Sequence, residues 1–120
     1  MTLPDRADAL LLLHNPNCSK SRAVQALLEE RGTAYQLRLY LEDPLSAPEL
    51  AELEKRLGQP IATWVREREE PFAALEEHQR QGHELRAAVA KHPILMERPI
   101  LVGSAEAKIG RPPEQVLELL

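Results

Sequence analysis

Regular patterning begins with Leu10–Leu13, an unbroken apolar run of strand length that suits a strand buried on both faces. It stops at His14-Asn15-Pro16-Asn17, where Asn tolerates unusual backbone angles and Pro blocks strand pairing, so a turn follows. From about Ser19 to Arg31 the spacing is helical, with Val24, Leu27 and Leu28 on one stripe and Gly32 as a stop. Tyr35, Leu37 and Leu39 then alternate with Gln36, Arg38 and Tyr40, the period of a half-buried strand. Strand, helix and strand within ~30 residues predict a βαβ unit with a right-handed crossover.

The middle of the chain changes character. Ser46-Ala47-Pro48-Glu49 has the form of a capping box, followed by Leu50, Leu53 and Leu57 on one stripe and Gly58 at its end. Shorter helical stretches are expected over Ile61 to about Arg66, Pro71 to about Gln79, and His83 to about Lys91. Apolar Pro99-Ile100-Leu101-Val102 and then Ala107-Lys108-Ile109 return the chain to strands. Pro112 and Pro113 introduce a terminal helix with Val116, Leu117 and Leu120 facing inward. The expected architecture is α/β: one domain over residues 1–120, with a helical insertion at approximately 46–92 interrupting a mixed sheet.

Composition narrows the function. At 120 residues, with 43% hydrophobic and 28% charged residues, the chain is long enough for one core and too apolar for wholesale disorder. Four aromatic residues make an aliphatic core and argue against base-stacking platforms. A net charge of −4 disfavours a nucleic-acid coat, and no apolar run approaches a membrane span, so neither partner is expected. Asp5 and Asp8 before the leucine run make the amino-terminal stretch unlike a secretory leader. The single cysteine, Cys18, forbids an internal disulfide and paired-cysteine metal sites, and fits a reducing cytoplasm. His14, His78, His83 and His92 lack the spacing of a zinc site, so no metal is expected.

Cys18 is the candidate for chemistry. It follows a strand and a turn and stands just before a helix, where unpaired N–H groups and the helix dipole stabilise an anion. That environment lowers a thiol pKa, and Lys20 and Arg22 add positive charge nearby. A buried, inert cysteine is the plain alternative. The C-x5-R spacing of a phosphatase loop is absent, and Ser21 stands where a C-x-x-C pair would have its second thiol. Anything formed on Cys18 therefore needs a thiol from outside the chain.

The segment His14-Asn15-Pro16-Asn17-Cys18-Ser19-Lys20-Ser21-Arg22 resembles the active-site segment of the glutathione/glutaredoxin-dependent arsenate reductase family. Val65 to Phe72 is similar to that family's central arginine segment, His92 to Ile100 to a second signature, and Ile109 to Glu114 to a third. These matches occur in family order and span nearly all of Leu10 to Leu120. The resemblance implies a thioredoxin/glutaredoxin-like fold, with Cys18 as nucleophile and Arg66, Arg98 and Arg111 converging on an oxyanion. Pro99 would follow a cis peptide bond, while His14 and Ser21 would support the thiolate. It also implies arsenate as substrate, glutathione as cosubstrate, glutaredoxin as protein partner and no tightly bound cofactor.

Each of these residues also has a plainer reading. Arg66 lies in a run of mixed charge that suits a solvated helix face, and Arg98 and Arg111 could be structural. His14 could cap a turn. Two other functions remain open at this level: a thiol oxidoreductase acting on a different glutathionylated or disulfide substrate, and an Spx-like regulator that binds RNA polymerase. Such regulators commonly use a C-x-x-C switch, which Ser21 rules out here.

Overall fold

The computed structural model describes residues 2–120. Its strands are β1 (Leu11–Leu13), β2 (Gln36–Arg38), β3 (Ile100–Val102) and β4 (Ala107–Ile109), in the spatial order β2-β1-β3-β4. β1 pairs parallel with β2 and antiparallel with β3, which pairs antiparallel with β4. The helices are α1 (Ser19–Glu30), α2 (Ala47–Leu57), α3 (Glu70–Ala73) and α4 (Gly82–Lys91). This is the mixed α/β sheet of the thioredoxin-like class, with α1 as the crossover between β1 and β2.

Side-chain alternation along the central strands divides the core between the two faces of the sheet. Leu12 and Leu101 meet Val24 and Leu28 of α1 and Val116 near the carboxyl terminus. Leu11, Leu13, Ile100 and Val102 point the other way, onto Leu50 and Leu53 of α2, Leu85 and Val89 of α4, and Trp64. Both faces are covered, so the leucine run of β1 carries no polar residue. The capping box is present in full: Ser46 Oγ accepts from the Glu49 N–H, and Glu49 accepts from the Ser46 N–H. Gly58 ends α2 with φ 70°, a left-handed conformation that glycine adopts without steric cost.

Several expectations are corrected. The stretch from Ile61 to Arg66 holds only a 3-10 turn at Ile61–Thr63. The stretch from Pro71 to Gln79 divides into α3 and a 3-10 turn at Glu77–Gln79. The terminal segment Pro113–Leu119 is a 3-10 helix, whose tighter winding buries Val116 but leaves Leu120 45% exposed. The alternation in β2 misleads most, because Arg38 and Tyr40 are the buried members, at 3% and 1% exposure. Arg38 is affordable inside because every face of its guanidinium is met. It grips Glu49 at 2.8 and 3.1 Å and donates to the carbonyls of Asp43 and Pro44 at 2.9 Å each.

One close approach ties the fold to its functional end. A Cβ on Gly110 would lie 2.6 Å from Val24 Cγ2 and 2.9 Å from Pro99 Cγ. Its N–H donates to the Pro99 carbonyl at 2.9 Å. Only a hydrogen side chain lets the Gly110-Arg111 segment lie against Pro99 and α1.

Gly110→Ala is expected to lower stability by about 1–3 kcal/mol through overpacking, read as a lower urea midpoint. Arg38→Met is expected to cost about 2–4 kcal/mol, because it leaves Glu49 and two carbonyls without their donor. Hydrogen bonding from Arg38 holds the Glu49 carboxyl below its usual range. A depressed folded pKa gives stability that is present at neutral pH and lost as pH falls from the ordinary carboxylate range through the folded value. Acid titration of stability should lose that part of its slope in Arg38→Met.

Candidate active site

Cys18 is the N-cap of α1, with extended backbone angles (φ −105°, ψ 123°) and a first turn that contains no acidic residue. An N-cap side chain normally offers oxygen to the N–H groups of the second and third helical residues. Here those residues are Lys20 and Ser21. The sulfur makes no capping hydrogen bond, but their backbone N–H groups favour the thiolate at the positive end of a twelve-residue helix. The residue is 8% exposed. Burial pushes the thiol up, but the two N–H groups and the charges of Arg98 and Arg111 outweigh it, leaving the pKa below the ordinary cysteine value.

The loop that presents the sulfur is tied internally. The Asn15 carbonyl accepts from the Cys18 N–H at 3.0 Å, and Asn15 Oδ1 accepts from the Asn17 N–H at 3.0 Å. Ser21, fully buried, uses its hydroxyl to accept from the Asn15 N–H at 3.3 Å, so it ties the cysteine loop to α1. Arg22 donates to the Pro16 carbonyl at 2.8 Å. Its charge acts on His14 instead of on Cys18, and Lys20 contributes its amide, which corrects the expectation of two nearby cationic side chains tuning the thiol. His14 is buried, its Nδ1 has no hydrogen-bond partner among the described residues, and burial followed by the Arg22 charge depresses its pKa, favouring the neutral ring.

The arginines come from three separate segments. Arg111 points Nη2 at Cys18 Sγ from 3.9 Å, while its Nε donates to the Arg98 carbonyl at 2.7 Å. Arg98 lies two residues before β3, and its Nε is buried without a hydrogen-bond partner among the described residues. The Arg66 segment is stitched to the Arg98 segment by an antiparallel bridge between Val65 and Met96, with the Arg66 N–H donating to the Leu95 carbonyl at 2.7 Å. Arg66, Arg98 and Arg111 line one open cleft of about 490 Å³, together with Val65, Glu67, Arg68 and Glu97. Arg98 and Arg111 act directly on the thiol; Arg66 is paired with Glu69 at 2.9 Å on the other wall. The Arg98-Pro99 bond is cis, and so is Arg111-Pro112, which carried no such expectation.

Two residues of the site escaped sequence reading. The register of β1 on β2 pairs Leu13 with Arg38, which brings Tyr40 beside Asn15 just past the strand ends. Burial raises the pKa of the Tyr40 hydroxyl to about 12 against the opposing charges of Arg98 and Arg66, with the Asn15 side chain also acting to lower it. A neutral phenol therefore underlies the cysteine loop. Glu97 is the other: its Oε1 lies 2.9 Å from Arg111 Nε and 3.6 Å from Arg98 Nη1. An acidic residue next to an arginine reads as a surface charge in sequence, and only the fold puts it inside the cationic cleft.

The ArsC family model matches residues 13–119. An arsenate reductase of Haemophilus influenzae is 40% identical over 115 residues, covering 93% of this chain and 99% of that protein. The uncharacterized Escherichia coli K12 protein YfgD is 43% identical over 112 residues, covering 91% and 94% respectively. The solved structure of an arsenate reductase from Vibrio cholerae superimposes with a TM-score of 0.83 at 42% identity, covering 96% of this chain and all of that one. An N-cap cysteine and a cleft of arginines thus lie on a fold and sequence shared with these proteins along almost their whole length, and the chain belongs to the ArsC family.

Proposed function

We propose that the protein reduces arsenate to arsenite, with Cys18 as the attacking thiolate and glutathione and glutaredoxin as external reductants. One observation carries this reading: the sulfur at the start of α1 lies 3.9 Å from Nη2 of Arg111, one of the three arginines that line the neighbouring cleft. The relatives named arsenate reductase support the substrate.

The chemistry follows from charge. Arsenate is an anion, so a thiolate meets it against repulsion unless fixed positive charge lies between them. Guanidinium groups of Arg66, Arg98 and Arg111 would bind the oxyanion and stabilise charge on its oxygens as sulfur approaches arsenic. Cys18 Sγ forms a bond to As(V), and an arsenate oxygen leaves as water after taking up protons. Glutathione displaces a second oxygen as water. A glutaredoxin thiol then attacks the glutathione sulfur, and the S–As bonding pair passes to arsenic, which becomes As(III). Water releases arsenite and restores Cys18. Two electrons have come from two external thiols, which leave as a mixed disulfide. With one cysteine in the chain, no internal thiol could take their place.

Arsenate-dependent NADPH oxidation with glutathione, glutaredoxin and glutathione reductase tests the whole scheme. Turnover is expected from the wild-type protein and none from Cys18→Ser, which keeps a good N-cap and should remain folded. A rate independent of arsenate, with a glutathione mixed disulfide accumulating on Cys18, would instead identify a thiol oxidoreductase of another substrate. Arg111→Ala is expected to lower kcat/KM for arsenate by about 100-fold or more, since it removes both an oxyanion donor and the charge facing the sulfur.

A further inference from the structure

Arsenate binding requires positive charge, yet the cleft contains an anion of its own. Glu97 Oε1 accepts from the Arg98 backbone N–H at 3.3 Å and forms ion pairs with Arg111, 2.9 Å from Nε, and with Arg98, 3.6 Å from Nη1. Its backbone is fixed by the Glu97 N–H donating to the Trp64 carbonyl at 2.9 Å, so the carboxylate is delivered to this place by the same segment that delivers Arg98. Arg66 is likewise engaged, by Glu69. Three guanidiniums thus face two carboxylates and a thiolate, and their formal charges cancel. At the same time Arg98 Nε remains without a partner, so Glu97 does not exhaust the donors around it.

We propose that Glu97 is an affinity-setting residue, an internal carboxylate that pairs with Arg111 and Arg98 and that an incoming oxyanion has to displace. The inference rests on the oxyanion reading of the cleft given above. A carboxylate in that position pairs with Arg111 while Nη2 faces the sulfur, and it raises the concentration at which any oxyanion, arsenate or phosphate, fills the cleft. Phosphate, of the same shape as arsenate but inert to the thiolate, is the natural competitor, and Glu97 weakens its hold on the cleft.

A purely structural role and a competitive one differ in sign. If Glu97 only held Arg111 in place, neutralising it would weaken anion binding or leave it unchanged. If it competes, Glu97→Gln retains an acceptor for Arg111 but removes the charge, and binding tightens. The measurement is protection of Cys18 from iodoacetamide by inorganic phosphate at fixed pH and ionic strength, taken as the phosphate concentration that halves each variant's own rate. That concentration should fall about fivefold or more in Glu97→Gln. Glu67→Gln makes the same charge change on the same cleft wall, and Glu67 has no ion pair with Arg98 or Arg111 among the described residues. It should produce less than half of that effect. In arsenate turnover, KM should fall in Glu97→Gln while kcat does not rise.

Unchanged or weaker phosphate protection in Glu97→Gln, or an equal gain in Glu67→Gln, overturns the inference. Arsenate turnover with the same KM in wild type and Glu97→Gln overturns it too, while leaving the oxyanion reading standing. Absence of both phosphate protection and arsenate turnover in every variant removes that reading and the inference together.

Discussion

Sulfur in the capping position of α1 is the interaction on which the rest depends. Two backbone N–H groups, from Lys20 and Ser21, are left unpaired by helix geometry beside Cys18, and they favour negative charge on its sulfur without a capping hydrogen bond. A protonated thiol is a poor acceptor and a thiolate a good one, so the helix end favours the ionised form. Burial works against this, and the helix amides together with the charges of Arg98 and Arg111 bring the thiol below its ordinary pKa. Fold and proposed chemistry meet here: β1 ends, the Asn15 loop turns, and the crossover helix begins beside the sulfur proposed as nucleophile.

The remaining architecture supplies the cations from far along the chain. β3 pairs with β1, so the segment leading into β3 brings Arg98 to the side of the sheet where the cysteine loop emerges. β4 pairs with β3, and Gly110 lets the chain after β4 pass close to Pro99, which sets Arg111 over the sulfur. The Val65–Met96 bridge lays the Arg66 segment alongside. None of the three guanidiniums is solitary: each meets a carboxylate or carbonyl, which orients it and tempers its charge. The cleft is therefore closer to neutral than its arginine content alone suggests.

Much of the fold was legible in the sequence because local pattern and tertiary role agree there. The leucine run of β1, the helical stripe of α1 and the capping box at Ser46 each carry a signal within a few residues. Cys18 stood out for the same reason, as a lone thiol between a turn and a helix. Its neighbours in space are another matter. Arg38 and Tyr40 looked like the wet side of an alternating strand, but partners from Asp43, Pro44, Glu49 and Asn15 allow polar groups inside. Leu120 appeared to face inward because an α-helical period was assumed where the chain winds as a 3-10 helix. Glu97 could not be distinguished from many other surface acids until β3 placed it between two arginines.

The most direct test is a titration of the Cys18 thiol in the intact protein, from the pH dependence of its alkylation by iodoacetamide. The chain has no other cysteine, so the rate reports one group. Thiolate formation is expected with a midpoint below the ~8.5 of an unperturbed cysteine, moving upward when Arg98 and Arg111 are both replaced by alanine. A midpoint at or above the unperturbed value in the wild-type protein would mean that burial prevails over the helix amides and the guanidiniums, and would contradict the account.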